Sequence, residues 1–238
     1  MIHVERRQDV LVVTLDRPER RNALDLDHCV ELADLVRTAP GQGARAVVVA
    51  GAGPHFCAGA DLSGVEDSGF VAALHDALET LATVPIPTLA AVHGAALGAG
   101  TQLAVACDLR VAEPDARFGI PAARLGLMVD HWTVERLAQL AGRGAATAML
   151  IAAEEYDGAE AHRLGLVHRL GDRAAALAWA EDVTHLAPLT MAGHKLGLNA
   201  PGDRSAYGDA FARAWASRDL AEGMAARAEH RPPAFEGR

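Results

Sequence analysis

Residues 47–62, VVVAGAGPHFCAGADL, join a β-branched run to a stretch of small side chains closed by Asp61 and Leu62. Small side chains let a ligand approach the main chain, so peptide N–H groups there become usable donors. Residues 92–102, VHGAALGAGTQ, repeat the order: an apolar run, small residues, then the start of a helix. One N–H from each stretch, converging on one oxygen, makes an oxyanion hole. Removing one such donor typically costs about 2.7–4 kcal/mol of transition-state stabilisation.

Other chemistries fit less well. Gly51-Ala52-Gly53 opens like a dinucleotide fingerprint, but Phe56 stands where a third glycine belongs. No G-x-S-x-G elbow is present, so Ser63 reads as a loop residue or helix cap. Cys57 has no adjacent base, and a small buried thiol is its natural role. His55 and His93 read as structural histidines. Cys and His show no metal-ligand spacing.

The elements that must carry the two stretches follow from periodicity. Residues 8–16 read as a strand paired with 1–6, residues 25–38 as a helix, and 45–50 as a buried strand. Residues 63–69 read as a polar loop beside the site, 70–83 as a helix, and 88–93 as a strand. A helix over 98–107 precedes strands at 109–112 and 117–119. Helices follow at 130–142, 144–152 and 157–164, and then a short strand at 165–167. Alternating strands and helices predict a parallel α/β sheet with right-handed crossovers. After 172, residues 174–187, 189–198 and 203–228 read only as helix. The predicted organisation is an α/β core over 1–185 and a helical extension over 186–238.

The bulk composition agrees. The 238 residues are 50% hydrophobic, which is globular, and their net charge of −9 argues against nucleic acid or an anionic membrane as partner. Arg17, Arg20 and Arg21 still offer local positive charge to a small anion. No apolar run reaches the roughly 18 residues of a membrane span. The charged N-terminus lacks the apolar core of a secretory signal. Three cysteines, an odd number, suggest reduced thiols and a cytoplasmic location.

Together with Arg21-Asn22-Ala23-Leu24, Cys107-Asp108-Leu109-Arg110 and Phe118-Gly119-Ile120-Pro121, the two stretches resemble the crotonase family of enoyl-CoA hydratases and isomerases, over nearly the whole chain. The resemblance implies a crotonase-like spiral of β-β-α repeats with a C-terminal helical trimerisation region. It implies an acyl-CoA thioester as ligand, without further cofactor, its carbonyl oxygen held by the N–H groups of Ala60 and Ala99. Ala99 then lies at a helix N-terminus, where the dipole favours negative charge. Ala23, Leu24, Ala58 and Leu62 match backbone positions that cradle pantetheine and adenine, with Asp61 in the same loop and Arg20 and Arg21 near phosphates. Homotrimers, often paired into hexamers, are implied as well.

The chain departs from the family pattern where protons move. Hydratases of the family place one glutamate three residues past the second donor and another after the proline of the F-G-x-P segment. Here those positions hold Gln102 and Ala122. An amide cannot accept a proton near neutral pH, and each lost acid or base costs about 10²–10⁴-fold. Asp130 lies where dienoyl-CoA isomerases and a haloaroyl-CoA dehalogenase place a catalytic aspartate; as the residue before a helix it is equally a good N-cap. His131 and Trp132 are expected to add bulk near the acyl tunnel. This pattern is similar to mycobacterial acyl-CoA-binding homologues that lack hydratase activity. Three readings follow: acyl-CoA binding without efficient hydration, an acyl-CoA isomerase or hydratase using Asp130, and an interaction subunit without ligand.

Overall fold

The protein is described by a computed structural model covering residues 1–63, 68–199 and 202–238. Residues 64–67 of the predicted loop 63–69 lie outside the described residues. Hydrophobic β-branched runs build the centre of the main sheet. Strands β2 (Val10–Leu15) and β3 (Ala46–Gly51) are buried at every residue. They pair in parallel, Val13 opposite Val49, and β3 pairs in parallel with β4 (Thr88–Val92). Strand β1 (Ile2–Arg7) adds antiparallel to β2. With β6 (Leu109–Ala112) and β9 (Arg169–Leu170) the order is β1-β2-β3-β4-β6-β9. A smaller sheet joins β5 (Ala95–Leu97), β7 (Arg117–Gly119) and β8 (Glu155–Asp157) in the order β5-β7-β8.

Side chains on a strand alternate between faces, so each strand feeds two cores. Leu11, Val13, Val47 and Val49 join the large core that also contains residues of α1 (Leu26–Thr38), α2 (Ser68–Thr83) and α3 (Ala99–Ala106). Val10, Val12, Ala46 and Val48 pack instead with Ala176, Leu177 and Ala180 of α6 (Arg173–Thr184). Between these lie α4 (His131–Ile151), broken at Gly142 (φ 78°), and α5 (Gly158–Arg163). The C-terminal helices are α7 (Pro188–Asn199), α8 (Arg204–Trp215) and α9 (Arg218–Ala228).

Two expectations need correction. The strand predicted at 165–167 is a turn closing α5, where the N–H groups of Leu166 and Val167 both donate to Ala161 O; the pairing strand is β9. Leu166 and Val167 are apolar because they are buried in the core, not because they pair. The single helix predicted over 203–228 is two helices, because Ser217 caps α9 by accepting from Leu220 N at 3.2 Å.

The C-terminal helices rest on the α/β layer. Lys195 of α7 is buried; its Nζ donates to Leu81 O (2.8 Å) and Ile86 O (3.0 Å) and pairs with Asp108 Oδ2 (2.7 Å). No helix among the described residues is long and apolar enough to cross a membrane.

Candidate active site

The first stretch leaves β3 and is clamped from outside. Asn22, buried and left-handed (φ 57°), donates from Nδ2 to Ala52 O (2.8 Å) and His55 O (2.7 Å). Its Oδ1 accepts from Arg17 N at 2.9 Å. The chain then threads between two neighbours. On one side Phe56 N donates to His93 O, Cys57 N to Ala95 O, and Leu97 N to Cys57 O, which joins the two stretches directly. On the other side Ala58 N donates to Arg21 O, Leu24 N to Gly59 O, and Asp61 N to Leu24 O.

That second set fixes the direction of the Ala60 N–H. In an extended strand successive N–H groups alternate sides. Residues 58 and 61 both bond the 21–24 segment, an odd spacing that requires one reversal between them. Gly59 supplies it with φ 119°, a conformation that glycine adopts without a Cβ penalty. The Ala60 N–H is therefore turned away from Leu24, toward the second stretch. Gly59 itself lies against that stretch: a Cβ there would stand 3.2 Å from Leu97 O and 3.9 Å from Ala99 N.

The second stretch places Ala99 at the first residue of α3. Gly100 permits the approach, since a Cβ on it would land 2.0 Å from Cys57 O. Thr101 locks the helix start: its hydroxyl lies 2.6 Å from Ala96 O and accepts from Gly119 N at 3.0 Å. Among the described residues no acceptor pairs with the N–H of Ala60 or of Ala99. Both residues line a cavity of about 580 Å³ whose walls also include Phe70, Leu74 and Leu78 of α2.

Gln102, Ala122 and Asp130 line the same cavity, as do Ala58 and Leu62. Gln102 is buried, and its Nε2 donates to Thr133 Oγ1 at 2.8 Å. Ala122 presents only a methyl group. Asp130 is the N-cap of α4, its Oδ1 accepting from Thr133 N at 3.0 Å. Its Oδ2 lies 2.9 Å from His75 Nδ1. Burial pushes the Asp130 carboxyl up, but hydrogen bonds from Thr133 and His75 outweigh it and leave its pKa below the ordinary aspartate value. A continuous chain of polar contacts thus runs Gln102–Thr133–Asp130–His75, tying α3, α4 and α2 around one cavity.

Several predicted site residues stand outside it. His131 does not line the cavity; its side chain is 82% exposed and faces Glu135 at 3.6 Å. Trp132 packs partly buried against the core. Adjacency to Asp130 thus brings neither into the cavity: His131 turns to solvent and Trp132 to the core. Leu24 is buried in the core, Ala23 is half-buried, and Arg21 is exposed. Asp61 pairs with Arg17 at 2.9 Å, and hydrogen bonds from Ser63 together with that arginine hold its carboxyl low. Arg17 is thereby occupied, bonding Asp25 as well at 3.1 Å, while Arg20 and Arg21 stay exposed beside it. Cys57 is fully buried, with its thiol pushed up to about 12 by desolvation, and is no nucleophile. Sequence reasoning missed His75 and Thr133; His75 follows Leu74 and stands one turn before Leu78, but nothing local links it to Asp130.

Comparison with known proteins matches this arrangement along its length. Residues 5–238 match the family model described as enoyl-CoA hydratase/isomerase. "Probable enoyl-CoA hydratase echA6" of Mycobacterium tuberculosis is 42% identical over 245 residues, covering 100% of both chains. The 2,3-dehydroadipyl-CoA hydratase of Escherichia coli K12 is 32% identical over 250 residues, covering 99% of this chain and 98% of that one. Among solved structures, an enoyl-CoA hydratase/carnithine racemase from Magnetospirillum magneticum superposes with a TM-score of 0.90 at 29% identity, over 100% of this chain and 96% of the other. The fold is thus the crotonase-like α/β architecture, and the chain belongs to the enoyl-CoA hydratase/isomerase family.

Proposed function

We propose that the chain binds acyl-CoA thioesters in acyl-CoA metabolism and holds them without efficient hydration. The observation that carries this reading is the pair of unpartnered N–H groups, Ala60 and Ala99, at the wall of one apolar cavity. Main-chain donors that no protein acceptor satisfies are left for a ligand or water to complete. A cavity of about 580 Å³ lies within the size range of small-molecule sites, and its apolar walls suit an acyl chain. The names of the mycobacterial and Escherichia coli relatives, a probable enoyl-CoA hydratase and a 2,3-dehydroadipyl-CoA hydratase, support the ligand class.

What argues against hydration is the shortage of proton-moving groups. Adding water across a double bond needs a base for the water and an acid for carbon. Among the described residues Asp130 is the only carboxylate lining the cavity, and both of its oxygens are engaged. Gln102 orients but does not ionise, and Ala122 does neither. No further cofactor is needed in this reading. Exposed Phe211, Trp215 and Met224 on α8 and α9 support assembly with further copies of the chain; the trimer or hexamer is what the family resemblance implies, and the cytoplasmic location rests on the reading of three reduced thiols.

Ala99→Pro tests the grip. Proline is favoured at a helix's first position, and the N–H it removes has no protein partner. Calorimetric titration with a long-chain acyl-CoA is expected to show affinity lower by about tenfold, one hydrogen bond's worth. Unchanged affinity would show that the thioester does not sit on Ala99.

A further inference from the structure

His75 and Asp130 are the only titratable side chains lining the cavity among the described residues. They come from different helices, α2 and the start of α4, and meet at 2.9 Å between His75 Nδ1 and Asp130 Oδ2. The acidic Asp130 is a carboxylate, so it is the acceptor in this contact and His75 Nδ1 carries the hydrogen. A neutral imidazole with its proton on Nδ1 has a bare Nε2. That Nε2 finds no hydrogen-bond partner among the described residues; the nearest charged group, Glu79 Oε2 on the same helix, is 4.0 Å away. Asp130 is held in turn by Thr133 N, and Thr133 Oγ1 receives Gln102 Nε2. A bare ring nitrogen, a carboxylate that fixes its tautomer, and a scaffold that fixes the carboxylate are the parts of a general base.

We propose that His75 is the proton-transfer group of this cavity and that Asp130 is its positioning residue. The proposal rests on the thioester reading of the site given above. With the carbonyl oxygen on Ala60 N–H and Ala99 N–H, His75 Nε2 takes a proton from the carbon next to that carbonyl. The C–H electron pair becomes the new C=C bond, and the carbonyl π pair moves onto oxygen, where the two N–H groups stabilise it. The imidazolium, half-exposed to solvent, exchanges that proton with water and delivers one to the same carbon, or to the far end of an adjacent double bond, as the electron pair on oxygen folds back to the carbonyl. Nothing is oxidised or reduced, and no water is consumed. One base that gives back what it takes suffices for this, whereas water addition needs two groups at once. The pair therefore accounts for a family member with a complete oxyanion grip and no second carboxylate in its cavity.

The test is deuterium incorporation from D₂O into saturating 3-hexenoyl-CoA, followed by mass spectrometry, beside calorimetric titration of the same compound. Wild-type protein is expected to incorporate deuterium. His75→Gln is expected to lower the saturated rate by about 10²-fold or more. His75→Gly with added imidazole is expected to recover part of the rate, which no structural role of His75 would produce. Asp130→Asn keeps an effective N-cap but not the charge; its saturated rate is expected to fall by about tenfold or more. Exchange unaffected by His75→Gln overturns the proposal. So does bound 3-hexenoyl-CoA that wild-type protein never labels, while leaving the binding function intact. Failure of the compound to bind overturns both together.

Discussion

Asn22 does not line the cavity, yet three main-chain groups beside the first donor depend on it. Its amide bonds Ala52 O, His55 O and Arg17 N from a buried, left-handed position. Asn22→Ala strands all three and puts a methyl side chain where φ is 57°. The expected loss is about 2–4 kcal/mol in urea unfolding, from unsatisfied groups and from left-handed strain. A loss below about 0.5 kcal/mol would contradict the clamp. The Arg21–Leu24 segment stood out in the sequence as a motif, but its spacing says nothing about which main-chain groups an amide reaches. The same holds for Cys107-Asp108-Leu109-Arg110. Arg110 is fully buried, donating to Leu166 O and Cys107 O at 2.6 Å each, with burial lowering its pKa to about 10. Asp108 pairs with Lys195. These residues hold the frame, whereas Gln102 and Ala122 stand at the positions where the family resemblance puts glutamates, and both line the cavity.

At the scale of elements, the start of α4 is where local and long-range demands meet. The sequence offers Asp130 two roles, N-cap and acid; its Oδ1 caps α4 while its Oδ2 meets His75 at the cavity wall. Its pKa lies below the ordinary value in the folded protein. A depressed carboxylate stabilises the fold above its unfolded pKa, and that contribution disappears as pH falls through its folded pKa. Thermal midpoints of wild-type protein are therefore expected to exceed those of Asp130→Asn at neutral pH. The gap is expected to close below about pH 4, where aspartate protonates. A gap independent of pH would contradict a charged cap. The His75 partner lies 55 residues away in the chain, so no helical or strand period joins the two. Length explains the other omissions. Strands β5 and β8 have three residues each, too few to show alternation, so of the second sheet only β7 was legible before the fold. Longer β2 and β3, β-branched and buried at every residue, were legible.

Across the whole molecule, the proposed division into 1–185 and 186–238 is bridged by a buried ion pair. Lys195 closes on Asp108 and on two carbonyls at the end of α2 and beyond it. Lys195→Ala takes the ammonium from Ile86 O and leaves Asp108 Oδ2 and Leu81 O to Thr88 alone, and about 1.5–3 kcal/mol of stability is expected to go with it. Urea unfolding checks the loss, and limited proteolysis is expected to find α7–α9 first; uniform protection would contradict that role. Composition made these helices legible as alanine-rich, but an exposed apolar stripe and a lysine reaching back into the core share one pattern until the chain is folded. The central claim concerns the cavity that this frame supports: the thioester is gripped, but water is not added. Its most direct measurement is the fate of a 2-enoyl-CoA bound at saturation, quenched over time and resolved by chromatography. The account predicts that the ligand is recovered unhydrated at a rate close to that of free solution. Conversion to the 3-hydroxyacyl-CoA within seconds would contradict it.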